Sequence, residues 1–544
     1  MATRTAQSET APLLGPPDGI PEPSSKAVGN GTFAGPGDGA AVPEPVKPKV
    51  KMAALVPALA IGIFLVSLDQ TLTIAAYGRM SSELEALSSS SWIATSYFLT
   101  LTTSQPLYGK LSDMFGRKAC LLSSYAIFAL GCLGCGLARN ILELCVARAI
   151  AGLGGGGMNA LVSILVTDLV SLRDRGLWQG YINIIYSLGT STGGPIGGLF
   201  ADSIGWRWAF IIQCPIAFLA FLSVYLVLHL PRRNQSHWTS KISRVDATGA
   251  ITLLSAVFVL LFGLDNGSNK GWGEKITIIP LALTPVFFAL FVLVEAKVAK
   301  EPFAPGHVVF DPPLLAAYGT NIFGVAAQTS VMFFIALFFQ GALGMSATMS
   351  GLLFVPSTFL SLAGSLSGGF LIRRTGRYYL LTLIGHGIML LSLVPLILGA
   401  GFASAAVSSV GISMLGFGCS MFINSTLISI IANAAATDTA VAIGCSYLFR
   451  SLGTTIGISI TTATLQQMLR VSLTERLGGA GRAREIEEQV RLSLDYIRTL
   501  EPDVAAVVRQ CYAVATQWAF VPVSVFVVLA CASAIFVREK KLDR

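Results

Sequence analysis

From residue 53 to residue 537 the chain repeats one pattern: an apolar run, a short polar break, then another apolar run. Each run is roughly 18–25 residues long, enough for a helix to cross a hydrocarbon core about 30 Å thick. Fourteen such runs can be counted, near 53–77, 92–111, 119–138, 141–167, 176–200, 208–230, 247–264, 276–295, 315–339, 349–372, 378–400, 404–432, 440–465 and 514–537. In lipid a backbone must satisfy its own hydrogen bonds, so these runs predict helices rather than open strands. Composition agrees: 53% of the residues are hydrophobic and 12% are charged, against about 25% charged in an ordinary soluble domain. The chain is therefore expected to be an all-α polytopic membrane protein with fourteen transmembrane helices.

An even number of spans places both ends on one side, and Lys and Arg choose the side. With the N-terminus in the cytosol, the cytosolic breaks hold Lys110, Arg117, Lys118, Arg173, Arg175, Arg232, Arg233, Lys241, Arg244, Lys297, Lys300, Arg373, Arg374 and Arg377. The opposite short breaks hold only Arg79, Arg139, Arg207, Lys270 and Lys275. The net charge of +8 thus reflects topology rather than a nucleic-acid partner. Residues 1–50, rich in Pro, Gly, Ala and Ser, are expected to be a disordered cytosolic tail, and 538–544 a second one. No apolar stretch follows the start, so no secretory leader is expected. The non-cytosolic break 467–513 is long and nearly neutral. There Ile486, Val490, Leu494 and Ile497 fall at helical spacing and predict an amphipathic helix lying on the bundle.

One short polar phrase occurs twice. "GKLSDMFGRK" spans Gly109–Lys118 and "GFLIRRTGRY" spans Gly369–Tyr378, with Asp113 replaced by Arg373 at the same place in the frame. Both copies fall in cytosolic hairpins, after helices 2 and 10. That predicts a duplicated six-helix bundle, 53–230 and 315–537, with two helices at 247–295 inserted between the copies. Internal repeats around a central site are the architecture of secondary transporters. Gly109 and Gly116 let the backbone turn and approach its neighbours, while Asp113 and Arg117 can bridge helix ends.

Several patterns lead away from enzymes. Gly152, Gly154 and Gly157 spell G-x-G-x-x-G, but an apolar helix runs through them with no strand ahead, so close helix packing is expected instead of a dinucleotide site. No P-loop lysine follows, so ATP is not the energy source. Cys132 and Cys135 form C-x-x-C inside an apolar run, where small packing residues are expected rather than a redox pair. His386 is expected to be a packed polar side chain. No cofactor or metal is expected.

The repeated phrase and seven further stretches, two of which overlap others, carry a family resemblance. "GKLSDMFGRK" resembles the signature between helices 2 and 3 of the major facilitator superfamily. "LDQTLT" at Leu68–Thr73, "RAIAGLGGGG" at Arg148–Gly157 and "GWRWAFIIQCP" at Gly205–Pro215 resemble its fourteen-helix drug:proton antiporter branch. "GYINIIYSLGTSTGGPIGG", Gly180–Gly198, resembles the antiporter motif of helix 5; it keeps the spacing from Gly180 to Gly189, whereas its Gly194–Pro195 step is shifted. "SWIATSYFLT", "QPLYGKLSDMFGRKACLL" and "RGLWQGYINIIY" resemble the fungal vacuolar basic amino acid transporters. The resemblance implies the major facilitator fold and a proton-coupled transporter. Its cargo would be basic amino acids moved into the vacuole, or drugs and secondary metabolites moved outward across the plasma membrane. A non-transporting nutrient receptor is a third reading.

Charges inside apolar spans are costly and mark function. Asp69, Arg148 and Arg450 are the three that stand out. Asp69 and Arg148 lie at similar depth in helices 1 and 4, which the family fold places together, so a proton-coupling pair is expected, with Asp69 open to competition between a proton and a cationic substrate. Asn183, Tyr186, Asn321, Gln328 and Arg450 are candidate substrate ligands, with Asn424 beside them. Gly180, Gly189, Gly193, Gly194 and Pro195 are expected to bend helix 5 and pack it closely. Gly109, Asp113, Gly116, Arg117 and Arg373 are expected to gate the cytosolic face.

Glu9–Leu14 reads "ETAPLL", an acid and three residues followed by Leu-Leu. Glu9, Leu13 and Leu14 resemble the acidic dileucine signal that sorting adaptor complexes read. Replacing Leu13 and Leu14 by Ala should move a tagged protein away from the vacuolar membrane in live-cell images. Unchanged vacuolar staining would remove the signal.

Overall fold

Each of the fourteen runs falls on a helix in the computed structural model, which describes residues 52–84, 91–172, 174–229, 245–299, 302–345, 347–477 and 494–540, with Ile486, Gln489 and Leu542. In chain order the helices are α1 (Met52–Glu83), α2 (Ser91–Phe115), α3 (Arg117–Leu137), α4 (Ile141–Leu169), α5 (Arg175–Asp202), α6 (Trp206–Ile211 with Gln213–Val227), α7 (Ala247–Lys270), α8 (Lys275–Lys297), α9 (Pro312–Leu337), α10 (Ala347–Leu352 with Val355–Thr375), α11 (Tyr379–Gly401), α12 (Ala405–Asn433), α13 (Thr439–Leu477) and α14 (Pro502–Ile535). Among the described residues twelve helices are long and apolar enough to cross a membrane. That is two fewer than expected. α2 and α5, with 25 and 28 residues, have the length, but they carry Ser, Thr, Gln and Gly where they face other helices.

Local chemistry sets the ends and breaks. Asn140 caps α4 by accepting from the Glu143 amide at 2.8 Å, and Glu143 accepts from the Arg139 amide at 2.8 Å in return. Asp246 caps α7 through the Gly249 amide at 2.8 Å. α6 breaks at Ile212, where Pro215 has no N–H to give to the carbonyl four residues back. Gly116, with φ of 94°, makes the turn from α2 into α3, a conformation other residues adopt poorly.

α1 packs on α5, and α2 and α3 pack on α4; α10 and α11 pack on α12, and α9, α13 and α14 pack together. The first six helices meet the last six along two seams, α5 on α10 and α2 on α13. The α7–α8 hairpin rests its α7 on α2 and α13, with Trp92 5.8 Å from both Phe258 and Phe262.

Two expectations need correction. α13 runs on to Leu477 and α14 begins at Pro502, so much of 467–513 is helix rather than a free break. At 39 residues α13 is roughly 58 Å long, about twice the hydrocarbon thickness. Its outer turns bury Leu465, Leu469 and Leu473 against Val508 and Tyr512 of α14. An apolar stripe of this kind lets the two helices pack on each other beyond the length a bilayer requires. Ile486 and Ile497 are buried, and Leu494–Thr499 forms a 3-10 turn; Val490 lies outside the described residues, as do the tail 1–50, its Glu9–Leu14 signal and most of 541–544.

The second correction concerns helix 5. Gly189, Gly193 and Gly197 form the seam with α1, and a Cβ at Gly197 would lie 2.6 Å from the Leu72 carbonyl oxygen. Gly194 faces open space and makes no close packing. Gly154 is also locked: an added Cβ would lie 2.7 Å from the Ser124 carbonyl oxygen on α3. Gly154→Ala should therefore cost about 1–3 kcal/mol by overpacking. Gly194→Ala should be neutral, or stabilising by up to about 1 kcal/mol through helix propensity. Melting of the purified full chain in detergent would check both.

Candidate functional site

Asp69 and Arg148 meet where α1, α2, α4 and α6 converge. Arg148 Nη1 donates to Asp69 Oδ2 at 2.7 Å, and the two side chains are 1% and 0% exposed. Arg148 Nε donates to the Ile93 carbonyl at 3.3 Å. Gln213, placed by the break in α6, donates to Asp69 Oδ1 at 3.4 Å. The guanidinium lies 4.2 Å from the Tyr97 ring and 5.6 Å from that of Phe210. The expected pair is therefore present but sealed. A cationic substrate has no access to Asp69 in this arrangement, so direct competition at that carboxylate is not what the geometry offers.

The remaining polar candidates gather between the two groups of helices. Asn183 donates to Asn424 Oδ1 at 2.6 Å, joining α5 to α12, and Asn424 donates to the Ser365 carbonyl at 2.8 Å. Tyr186 donates to Gln70 at 3.0 Å. Asn321 holds Ser446 at 3.1 Å and accepts from Arg450 Nε at 3.3 Å; Arg450 Nη2 also donates to the Ile423 carbonyl at 3.2 Å. Tyr447 is hydrogen-bonded to Ser163, and Ser451 to Gln105 at 3.2 Å, both linking the two groups. Gln328 stands apart and accepts from Cys419 at 2.6 Å.

Cytosol-facing by the charge reading, the ends of α2, α4, α5 and α10 carry the repeated phrase. Arg117 holds Asp113 at 2.7 Å and Asp168 at 2.8 Å and also reaches Ser112, clamping α2 to α4. Burial raises the Asp113 carboxyl above its usual range, and Arg117 offsets only part of that. Arg373 behaves differently: its Nε meets Asp174 at 2.7 Å, from the end of α10 to the start of α5. The charge inversion between the two copies thus has a structural counterpart. Asp113 serves its own hairpin, whereas Arg373 reaches across to the other group of helices. Beneath it, a Cβ on Gly369 would lie 2.5 Å from the Gly176 carbonyl oxygen, and one on Gly180 3.3 Å from that of Ser365. The second seam is as tight, with Gly109 facing the Ala440 carbonyl oxygen at 2.7 Å from its would-be Cβ. On the opposite face Glu83 joins α1 to α6 through Trp206 at 2.7 Å and through Arg207, whose hydrogen bond holds the Glu83 carboxyl below its usual range.

Gln213, Gln70, Tyr447, Ser163 and Asp174 escaped the sequence reading. Gln213 had a signal, a polar residue inside an apolar run two places before a proline. The others are common residue types whose partners lie far along the chain. Cys132 and Cys135 are buried free thiols, and Gly152 and Gly154 sit inside α4. His386 is packed, with Nδ1 2.7 Å from the Thr382 carbonyl and its ring 4.5 Å from that of Phe422.

Residues 59–458 match the model of the Major Facilitator Superfamily. Over 91% of its length the chain is 34% identical to the vacuolar membrane amino acid uptake transporter fnx2 of Schizosaccharomyces pombe, covering 85% of that protein. It is 35% identical to the multidrug resistance protein fnx1 of the same yeast, over 87% of this chain and 90% of that one. It is 33% identical to vacuolar basic amino acid transporter 1 of Saccharomyces cerevisiae, over 75% and 77% respectively. Among solved structures, the human organic anion transporter MFSD10 superposes with a TM-score of 0.59 at 14% identity, covering 89% of this chain and 99% of its own.

An exposed ion pair is worth about 0–1 kcal/mol, which suits Arg373–Asp174 to a contact that opens and closes. Arg373→Asp should raise hydrogen exchange at the amides of 175–182 and 365–373 while hardly moving the melting temperature. The reversed pair, Asp174→Arg with Arg373→Asp, should restore slow exchange. A double variant as fast as the single one would show that another contact holds this seam.

Proposed function

Because the chain belongs to the Major Facilitator Superfamily, a family of transporters rather than enzymes, we propose that it is a proton-coupled secondary transporter that moves basic amino acids from the cytosol into the vacuole in exchange for protons. The observation that carries the coupling is the sealed Asp69–Arg148 pair. A proton on Asp69 cancels the carboxylate charge and leaves Arg148 buried without a counter-charge, which is strongly unfavourable. The helices around the pair must then move to readmit water or a new partner. Proton binding is thereby converted into a change of packing where α1, α2, α4 and α6 meet. α1 lies on α5 through small residues, and α5 forms a seam with α10, so that change passes to the contact between the two halves. The substrate, held among Asn183, Tyr186, Asn321 and Arg450, answers to the same rearrangement without touching Asp69. Gln328 would contribute from the wall of the second half.

The substrate class and the vacuolar address are supported by the names of two relatives, an amino acid uptake transporter of the vacuolar membrane and a vacuolar basic amino acid transporter. The Glu9–Leu14 signal would bring in a sorting adaptor complex as partner. A second reading, proton-driven efflux of drugs, is favoured by a multidrug resistance protein of equal similarity.

Purified protein in vesicles should accumulate radiolabelled lysine or arginine when a pH gradient is imposed, and not without one. Asp69→Asn should keep the fold and abolish gradient-driven accumulation, while exchange at equal pH persists. Full accumulation by Asp69→Asn would refute the coupling role. Accumulation of drugs but not amino acids by the unmodified protein would favour the second reading.

A further inference from the structure

We propose that Arg450 is an anion anchor between the two groups of helices, and that the transported molecule carries a carboxylate that seats on it; naming that molecule as an amino acid rests on the reading above. Asp69 and Arg148 neutralise each other inside the first group of helices. Arg450, eleven residues into α13 and so about 16 Å along that helix, has no ion-pair partner among the described residues. Its described acceptors are neutral and distant, Asn321 Oδ1 at 3.3 Å and the Ile423 carbonyl at 3.2 Å. A guanidinium has five N–H donors, and Nη1 makes no hydrogen bond with a described residue. An arginine left in this state inside a membrane bundle is expensive and calls for a charged partner.

The surroundings fit a ligand that comes and goes. Arg450, Tyr447, Tyr186 and Asn183 are partly exposed although they sit mid-helix between the two groups of helices. The guanidinium lies 5.2 Å from the Tyr447 ring, which shields one side and leaves the planar fork for a carboxylate. With Asp69 and Arg148 paired, Arg450 is left among the described residues around it as a positive charge without a counter-charge, in a low-dielectric setting that attracts an anionic group and repels a cation that lacks one. A basic amino acid satisfies this through its α-carboxylate despite its cationic side chain. A purely cationic drug does not.

The test uses the full chain in vesicles at equal pH on both sides, with counterflow of L-lysine, L-lysine methyl ester and cadaverine, and melting temperature with each compound and with citrate. Unmodified protein should carry lysine at least about ten-fold better than the ester or cadaverine, since a hydrogen bond to a charged group is lost with the carboxylate. Arg450→Ala should weaken lysine by a similar factor without lowering the melting temperature of the ligand-free protein, and Arg450→Lys should recover part of it. Cadaverine carried as well as lysine, or full lysine affinity in Arg450→Ala, would overturn the anchor. If lysine is not carried but citrate stabilises the unmodified protein and not Arg450→Ala, the anchor stands and the amino acid reading falls. If neither lysine nor citrate distinguishes the two proteins, the anchor falls as well.

Discussion

A charge inside a membrane bundle must be answered by another group, and the meeting of α1, α2, α4 and α6 is arranged around one such answer. Arg148 reaches Asp69 directly, takes a carbonyl from α2 and lies against two aromatic faces. Breaking α6 at Ile212 costs helix hydrogen bonds, and the break sets Gln213 against the free oxygen of Asp69. Removing either partner would strand the other. A proton on Asp69 would cancel the charge that Arg148 is paired with, so this junction depends on the protonation of one carboxyl.

Close backbone approach is the second constraint. Apolar side chains gain little by leaving lipid for a helix interface, so membrane helices associate where small residues let backbones meet. Here such positions lie on the α1–α5 seam at Gly189, Gly193 and Gly197, on the α5–α10 seam at Gly176 and Gly369, and on the α2–α13 seam at Gly109. The last two seams join the halves, and α5 belongs to both the junction with α1 and the junction with α10. A movement of α1 therefore has a short mechanical route to the contact capped by Arg373 and Asp174.

The two halves answer their charges differently. The first closes Asp69 on Arg148, whereas the second leaves Arg450 with neutral acceptors beside polar groups from both halves. On the proposed reading, coupling by proton and recognition by charge would occupy separate places, linked by packing rather than by contest for one carboxylate.

Much of this was legible in the sequence. The lengths of the apolar runs define helices because a backbone in lipid must satisfy itself and runs this long exceed what a barrel strand needs. Asp69, Arg148 and Arg450 stood out because a charge in an apolar run is rare and costly. The repeated frame with its inverted charge marked two equivalent hairpins. What the sequence could not express is which residues meet. Gln213, Gln70 and Ser163 are ordinary polar residues until a partner more than a hundred residues away is set beside them. Gly193 and Gly194 look alike in one dimension, yet of the two only Gly193 faces α1, because a helix turns its residues by about 100° each and a one-residue shift selects a different face. The outer turns of α13 and α14 hold each other in place, and neither run predicts the other. Whether a buried charge is sealed or left open depends on the whole arrangement of its neighbours, and that was decided only by the tertiary structure.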